Sequence, residues 1–599
     1  MNRTLAPLLG LVEFSPNPTW LHTAARELQL DTATESGAFL AGTELPQNGG
    51  HTPRSPYFLT ADIFLFNPDE LVAALGSDLP VSAHKDIVLA AYAKWGVDCA
   101  PRLEGELSFA IFDPVQQHLF CVRDQFARRP FLYWHGGTRL VIGTELEDLL
   151  RVPGVPRALN RPLLAATDVP LGQFVLEGQT YHAGIMGLPF GCYAIASERG
   201  FKLTRYWAPG PGSATVPKNP EDAYTEFRDL IVRAVERRVN RPCGIGILLS
   251  GGLDSGCIAA VAAKVLERQG RTLTALTTAS PPKDLDRFPD ERKFLEPFRA
   301  YPNIRFEDCV TDDSGPFDWL DNPAKFTAMC HPHPMFHATF ASVERMKAAG
   351  TGVILTGIGG EAGATYYARR FLAEMFLAGR WQLALREARM RAALTGFPAL
   401  RLVLGSFRTL VFRRTPDTPL FMLTRGFAAE SEVDAPPLPI PFQSEVENMA
   451  SCATIFARRQ SVRPNRWLLP VQEATPLLDK SVLEFCIAAP AELRVRDGHL
   501  RYLARGAMAG VMPESLRLRT DKMPFIPNYP ERYTAQLPAA KAFVAQIRRS
   551  DPVRSVVDVP RLVRELTPPI GAENCGRLMM LPNTIRLIQF LRQFPEFQS

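Results

Sequence analysis

The sequence predicts a mixed fold in which a mainly antiparallel β region precedes a parallel α/β region. Up to about residue 205, short apolar runs alternate with Gly, Pro, Asp and Asn, which is typical of strands and turns. After about residue 222, apolar strands alternate with helical stretches, which favours a parallel sheet flanked by helices. A stretch rich in proline and glycine, APGPGSATVPKNPED at 208–222, lies between the two patterns and is interpreted as a linker.

In the first region, 1–207, helical stretches interrupt the predicted strands, notably DIVLAAYAKWG. The strand predictions rest on the runs PYFLTADIFLF, LSFAIFD, HLFCVRD, FLYWHGG, RLVIGTE and CYAIAS. In the second region, 223–599, apolar residues recur at spacings of three and four from Phe227 to Val235 and predict an amphipathic helix. Predicted parallel strands follow at GIGILLS, LTALTTAS and GVILTGI. The chain beyond about 366 is predicted to be helical and rich in arginine, with a basic helical insertion at about 366–450.

Composition narrows the function classes. The 599 residues carry a formal net charge of +5, which is too small for this length to indicate a nucleic-acid partner. No run of about 18 uncharged apolar residues occurs, so no membrane-spanning helix is expected. The 10 cysteines include no CxxC pair, and the N-terminus shows no cleavage signal, so we expect reduced thiols and a cytoplasmic protein.

The stretch GILLSGGLDSGC, at 246–257, predicts a phosphate-binding turn between a strand and a helix. A helix N-terminus offers unpaired N–H donors to phosphate, and Gly251 and Gly252 let the backbone approach closely. Asp254 would repel phosphate unless a cation lies between them, so it indicates Mg²⁺. A bare pair of glycines is also found in purely structural turns, but the full string is more specific. The predicted nucleotide-binding residues of this loop are Leu249, Ser250, Gly251, Gly252, Asp254 and Ser255.

A second loop, VILTGIGGEAG at 353–363, repeats the order of strand, glycines and acid. Alone it predicts only a turn, yet two such loops about a hundred residues apart make coincidence a weak explanation. A third stretch, MPESLRLRTDKMPF at 512–525, contains Lys522.

Together these stretches resemble the asparagine synthetase superfamily. SGGLDS is similar to the PP-loop of ATP pyrophosphatases, and the loop at 356–361 is similar to the family's SGEGSDE loop. The second similarity implies that Thr356 and Gly357 contact the nucleotide and that Glu361, with Asp254, binds Mg²⁺. The third stretch resembles the segment whose lysine reaches the reaction centre, so the resemblance implies that Lys522 is catalytic. LEGELSFAIFDPVQQHLFCVRDQFARRPFLYW resembles the family's glutaminase domain, which implies an αββα sandwich in 1–207 and an ATP-pyrophosphatase-like fold in 223–599.

The sequence differs from the family at the position of the glutaminase nucleophile. Class II glutaminases use a cysteine at residue 2, whereas this sequence has Asn2, and its first cysteine is Cys99. The glutamine-holding NGEIYN segment is also not evident. We therefore expect the first region to be a scaffold that releases no ammonia from glutamine.

A synthetase without glutaminase activity must take its amine from another source. Three kinds of enzyme in the family do so: ammonia-dependent asparagine synthetase, β-lactam or carbapenam synthetase, and lasso-peptide cyclase. Ile358 stands where the first has glutamate and the second tyrosine, and the long basic insertion suits a large substrate. The expectation is therefore a macrolactam synthetase that uses ATP and Mg²⁺ on a precursor peptide, with a leader-recognition protein and a leader peptidase as partners. A non-catalytic scaffold that binds nucleotide or peptide is the remaining alternative.

Two other segments receive plain interpretations. CHPHPMFH, at 330–337, does not have the spacing of a structural zinc site and is interpreted as a loop on the substrate side. The arginine-flanked apolar helices of the insertion are expected mainly to cover a core, with contact to a peptide, partner or membrane surface as the alternative.

Overall fold

The structure is a computed structural model. It describes residues 9–14, 19–28, 30–35, 38–42, 56–166, 176–281, 285–287, 290–310, 315–321, 336–411, 422–430, 444–460, 471–521, 528–568 and 575–597. In these ranges no helix is both long and apolar enough to cross a membrane.

The first region forms two antiparallel sheets. One has six strands in the order β2-β3-β1-β8-β7-β9, and the other has five in the order β11-β10-β6-β5-β4. The first sheet contains β1 Leu9–Glu13, β2 Asp31–Glu35, β3 Ala38–Gly42, β7 Leu132–Gly136, β8 Arg139–Gly143 and β9 Ile185–Gly187. The second contains β4 Phe58–Leu65, β5 Gly105–Asp113, β6 His118–Arg123, β10 Cys192–Ser197 and β11 Gly200–Arg205.

The two sheets face each other across an apolar layer and carry helices on their outer faces. Val12 and Leu140 of the first sheet share a buried cluster with Phe112 and Cys121 of the second. Helix α1 packs on the outside of the first sheet, and α2 and α3 pack on the outside of the second. This arrangement confirms the predicted αββα sandwich. Its helices are α1 Thr19–Leu28, α2 Pro68–Leu75, α3 His84–Trp95, α4 Leu146–Leu149 and α5 Arg161–Ala166.

The second region is built on a five-stranded sheet in which every pairing is parallel. The strand order is β14-β13-β12-β15-β16, so β12 is central. The strands are β12 Gly244–Leu248, β13 Leu273–Ala279, β14 Ile304–Val310, β15 Thr351–Leu355 and β16 Gln472–Ala474. Parallel strands bring their carboxyl ends to one edge, so the loops after β12 and β15 meet there.

Helices cover this sheet and fill the rest of the chain. The predicted amphipathic helix is α6, with Phe227 and Val235 fully buried. The helices flanking the sheet are α6 Pro220–Val239, α7 Leu253–Arg268, α8 Arg292–Leu295 and α9 Phe336–Ala348. Those that follow are α10 Phe371–Leu377, α11 Trp381–Thr395, α12 Ala399–Val411, α13 Arg425–Glu430, α14 Glu445–Gln460, α15 Lys480–Ala488, α16 Tyr502–Ala507, α17 Glu514–Arg517, α18 Tyr529–Ala545, α19 Val559–Glu565 and α20 Cys575–Leu591. A short hairpin, β17 Val495–Arg496 and β18 His499–Leu500, precedes α16.

Candidate active site

The first glycine-rich loop lies at the carboxyl end of the central strand β12. Its start is anchored to β13, because Leu249 N–H donates to the Leu276 carbonyl at 2.9 Å and Thr277 Oγ1 donates to the Leu249 carbonyl at 2.7 Å. The Leu249 side chain is buried, which leaves only its backbone to face a ligand. Gly252 is the N-cap of α7, and this helix places Asp254 in its first turn.

The two serines of this loop close it from within. Ser255 Oγ donates to the Ser250 carbonyl at 2.8 Å and lies 3.0 Å from Ser250 Oγ. This closure tightens the turn that leads into α7. Such a helix N-terminus is suited to bind an anion.

The second loop packs directly against the first. A β-carbon on Gly357 would lie 2.7 Å from Asp254 Cβ and 2.9 Å from Ser255 N, so only glycine fits without displacement. A β-carbon on Gly360 would collide with Asp254 Oδ1. Thr356 is buried, and its N–H donates to the Ala474 carbonyl at the end of β16 at 2.9 Å. The structure therefore brings the two predicted loops together at one edge of the sheet.

The carboxylate of Asp254 is held by residues that sequence reasoning missed. Thr365 Oγ1 donates to Asp254 Oδ1, and Arg501 Nη1 lies 3.8 Å from Asp254 Oδ2. Arg501 has left-handed backbone angles (φ 61°) at the N-cap of α16, and its guanidinium lies over the Tyr367 ring at 3.6 Å. No local pattern ties Arg501 to Asp254, since they lie far apart in the chain.

Further arginines surround the first loop. Arg519 Nη1 donates to the Gly251 carbonyl at 2.6 Å, its Nη2 lies 3.5 Å from Glu291 Oε1, and its guanidinium covers the Phe294 ring at 3.3 Å. Arg505 holds the chain leading to Arg519 by donating to the Arg519 carbonyl at 2.7 Å. Burial and the neighbouring arginines lower the pKa of Arg505 to about 10, so it remains charged at neutral pH. Arg519 Nε also donates to Asp521 Oδ1 at 3.0 Å, so two carboxylates balance its charge and hold it against the first loop.

Asp254, at the contact between the two loops, fits the Mg²⁺ that the resemblance implies, because its carboxylate is an oxygen ligand. Glu361 follows Gly360 in the second loop and interacts electrostatically with Cys452 of α14, so its role as an Mg²⁺ ligand stays a prediction. The described residues contain no cluster of three or more metal-ligating side chains.

Three predictions fall on residues outside the described ranges. Lys522 belongs to 522–527, Asn2 to 1–8, and most of CHPHPMFH to 322–335. The catalytic role of Lys522 and the loss of the glutaminase nucleophile therefore stay predictions. The segment just before Lys522, at Arg519, reaches the first loop.

Comparison with known families agrees with this geometry. Residues 54–207 match a model described as a glutamine amidotransferase domain. Residues 226–446 and 470–583 match the asparagine synthase model, which includes both glycine-rich loops and Lys522.

Individual proteins are similar over shorter stretches. A Mycobacterium tuberculosis (strain H37Rv) protein named "Putative asparagine synthetase (glutamine-hydrolyzing)" is 30% identical over 200 residues, or 32% of this chain and 30% of that protein. Asparagine synthetase (glutamine-hydrolyzing) 3 of Bacillus subtilis (strain 168) is 28% identical over 210 residues, or 35% of this chain and 34% of that protein. The chain thus spans about a third of the length of these curated relatives.

Among solved structures, the B. subtilis glutamine phosphoribosylpyrophosphate amidotransferase in complex with ADP and GMP matches 52% of this chain and 82% of its own. The identity is 11% and the TM-score is 0.24, so the fold assignment rests on the sheets described above. The asparagine synthase model covers more than half of the chain, and its two segments carry the candidate site. The chain therefore belongs to the asparagine synthase family.

Proposed function

We propose that this protein is an ATP-dependent carbon–nitrogen ligase that forms AMP. A substrate carboxylate attacks the α-phosphorus of ATP, which gives an acyl adenylate and releases pyrophosphate. An amine then attacks the acyl carbon, forming the amide and releasing AMP and a proton. One observation carries the proposal: Asp254 at the start of α7 lies in contact with the glycine-rich loop after β15.

The contact between the loops supports a nucleotide more strongly than either loop alone. A structural turn requires no second glycine-rich loop against it, whereas Gly357 and Gly360 both remove side-chain bulk around Asp254. Arg501 lies 3.8 Å from Asp254, and Arg519 donates to the Gly251 carbonyl. The first loop thus offers backbone donors and a carboxylate for Mg²⁺, with guanidinium groups beside it. When bound, Mg²⁺ would neutralise phosphate charge between the two loops.

We further propose that the acceptor carboxylate is an Asp or Glu side chain of a precursor peptide and that the amine is the peptide's own N-terminus. The product is then a macrolactam, as in lasso-peptide biosynthesis. Two features support this. Ile358, on the second loop, has an apolar side chain, whereas asparagine synthetase has glutamate and β-lactam synthetase has tyrosine at this position. The residue therefore does not favour aspartate or a β-lactam precursor as the substrate. The long basic insertion, which contains the helices α10–α12, suits a large substrate.

The adenylation step is tested by exchange of labelled pyrophosphate into ATP. The wild type should catalyse exchange only with ATP, Mg²⁺ and a carboxylate substrate. Asp254→Asn should reduce exchange by at least about a hundredfold, because it removes a charged ligand that acts at the phosphates. Asp229→Asn is the matched control, since Asp229 is exposed on α6 and should keep wild-type exchange. Wild-type exchange in Asp254→Asn would refute the assignment of the site.

The peptide substrate is tested with short precursor peptides encoded beside the gene. An intact peptide should give a product lighter by one water, detected by mass spectrometry. An N-acetylated peptide should still support exchange but form no ring, and Asn or Gln at the acceptor should abolish both. Exchange with free aspartate instead, followed by ammonia-dependent asparagine formation, would replace the cyclase with the asparagine synthetase alternative.

A further inference from the structure

The helical hairpin α11–α12 exposes an unusual amount of apolar surface. The helices are joined by a short connection at 396–398, and the ring of Phe407 on α12 lies 6.1 Å from that of Phe376 on α10. Large apolar side chains of this part of the chain are between 42% and 70% exposed, among them Trp381 on α11 and three residues on α12. We call these three residues of α12 the apolar face: Leu400, Leu404 and Val411.

The opposite side of the hairpin is fixed to the protein. Ala384 and Ala388 of α11 are buried in the core of the second region. On α12, Ser406 Oγ accepts from Ala373 N–H at 3.0 Å and donates to the Arg369 carbonyl at 3.0 Å. The buried side is therefore anchored, and the apolar face is held outward by packing.

Helix α12 shows the pattern most clearly. Leu400, Leu404 and Val411 are separated by four and seven residues and so form one stripe along the helix. Arg401 and Arg408, seven residues apart, lie beside the stripe and are exposed. A helix with an apolar stripe bordered by arginine is suited to lie at a lipid–water boundary.

The charged residues of the hairpin are mostly positive. Helices α11 and α12 contain five arginines and a single acid, Glu387. Glu387 is buried, where it accepts from Arg386 at 2.6 Å and from Gly498 N–H at 2.8 Å. Within the described part of the chain, the exposed Arg389, Arg401 and Arg408 form no ion pair. The surface thus presents positive charge that calls for an anionic partner.

We propose that the apolar face docks on an anionic phospholipid bilayer surface. A protein interface usually has a compact apolar centre with a polar rim. Here apolar and arginine side chains instead run together along α12, a length of about 20 Å. Lipids match this arrangement, because acyl chains accept the leucines while arginine stems reach up to phosphate groups. Trp381 fits the same boundary, and its indole N–H is already bonded to the Phe376 carbonyl at 3.0 Å.

The proposal is tested by flotation of the full chain with lipid vesicles. Vesicles containing phosphatidylglycerol should carry the protein, those of phosphatidylcholine alone should not, and added salt should weaken binding. Leu400→Asp with Leu404→Asp should lower the partition coefficient at least about tenfold, because burial of each leucine side chain among the acyl chains favours the bound state. Arg401→Glu with Arg408→Glu should also lower the partition coefficient, because it reverses the charge beside the apolar face. This variant tests the proposal if the leucine variant fails to fold.

Val115→Asp provides the matched control, because Val115 is 80% exposed on a turn of the first region and should not affect flotation. Unchanged melting temperatures would show that the variants are folded. Equal flotation of all variants, or no flotation with phosphatidylglycerol, would overturn the proposal. So would a self-association, measured by light scattering, that Leu400→Asp abolishes, because the apolar face would then join two copies of the chain.

Discussion

At the scale of single residues, the site depends on how Asp254 is oriented. Thr365 and Arg501 contact different oxygens of its carboxylate, so the group is fixed before any ligand binds. Arg501 is itself constrained, because it takes left-handed backbone angles that are unfavourable for residues other than glycine. A residue kept in such a conformation beside the predicted ligand indicates a functional constraint.

The role of Arg501 can be separated from its strain by two substitutions. Arg501→Ala should reduce pyrophosphate exchange by about 10- to 100-fold, which corresponds to the loss of one charged contact of about 1.5–3 kcal/mol. Arg501→Gly should lose as much exchange but should be more stable than Arg501→Ala by up to about 1 kcal/mol, because glycine accepts a φ of 61°. Exchange assays and denaturant unfolding measure the two effects, and unchanged exchange in both variants would exclude a role at the site.

Lys522 carries a second prediction at this scale. The acyl-transfer step develops negative charge near the departing AMP, and a fixed cation there stabilises the transition state. Lys522→Ala should therefore lower turnover about a hundredfold or more while ATP affinity changes little. Lys522→Arg should rescue only in part, because a planar guanidinium does not replace a compact ammonium. A loss of ATP binding alone would instead indicate that Lys522 holds the nucleotide.

At the scale of elements, the two glycine-rich loops act as one unit. Gly357→Ala should force Asp254 or Ser255 to shift, since the new β-carbon would lie 2.7 Å from Asp254 Cβ. A shift of about 1 Å in a group at a reacting centre lowers the rate by about 10- to 100-fold. Gly210→Ala is the control, because a β-carbon there meets nothing within 4 Å. Pyrophosphate exchange should fall only in Gly357→Ala, and equal rates would show that the loop contact is not needed.

The sequence predicted those elements whose signal is local. The strands β12, β13 and β15 were found from their apolar runs, and the loop after each of β12 and β15 carried its own glycines. Strand β16, Gln472–Ala474, is only three residues long and is defined by pairing with β15, so no periodicity could reveal it. The prediction that the insertion mainly covers a core holds for one side of α11–α12 only, because Leu400 and Leu404 are 70% and 59% exposed.

At the scale of the whole molecule, buried charges join the β sandwich to the parallel sheet. Glu106 of β5 is 1% exposed, and its Oε2 lies 3.3 Å from Arg129 Nη2 and 3.1 Å from Arg241 Nη2. Gln472 of β16 also donates to it. Arg128 Nη2 adds a bond to the Glu473 carbonyl at 2.6 Å. The sandwich is therefore attached to the strand that borders the second glycine-rich loop, a connection that no local pattern encodes.

A second connection involves the C-terminal helices. Leu163 of α5 and Tyr181 share a buried cluster with residues of α18 and α20, and the Tyr181 ring lies 5.5 Å from that of Phe590. Sequence patterns predicted helices in this part of the chain but not their packing on the first region. Contacts between distant segments depend on shape complementarity, which apolar periodicity leaves open.

Glu106 makes the attachment of the sandwich sensitive to pH. Burial alone would raise its pKa, but Arg129 and Arg241 outweigh burial and lower the pKa to about 2. An unfolded glutamate has a pKa near 4.3. The stabilisation by Glu106 is therefore complete above about pH 4.3 and is lost as the pH falls toward about 2, since the unfolded chain binds the proton more readily.

Glu106→Gln tests this attachment. The substitution should lower the free energy of unfolding at pH 7 by about 3–5 kcal/mol, because it leaves the buried guanidinium of Arg241 without its charge partner, whereas Arg129 keeps Asp62. It should also flatten the fall of stability between about pH 4.3 and pH 2 relative to the wild type. Glu296→Gln is the control, because the pair of Glu296 with Arg299 is 72% and 59% exposed and should contribute less than about 1 kcal/mol. Denaturant titrations at several pH values measure both effects, and equal pH dependence in wild type and Glu106→Gln would show that the attachment does not depend on this charge.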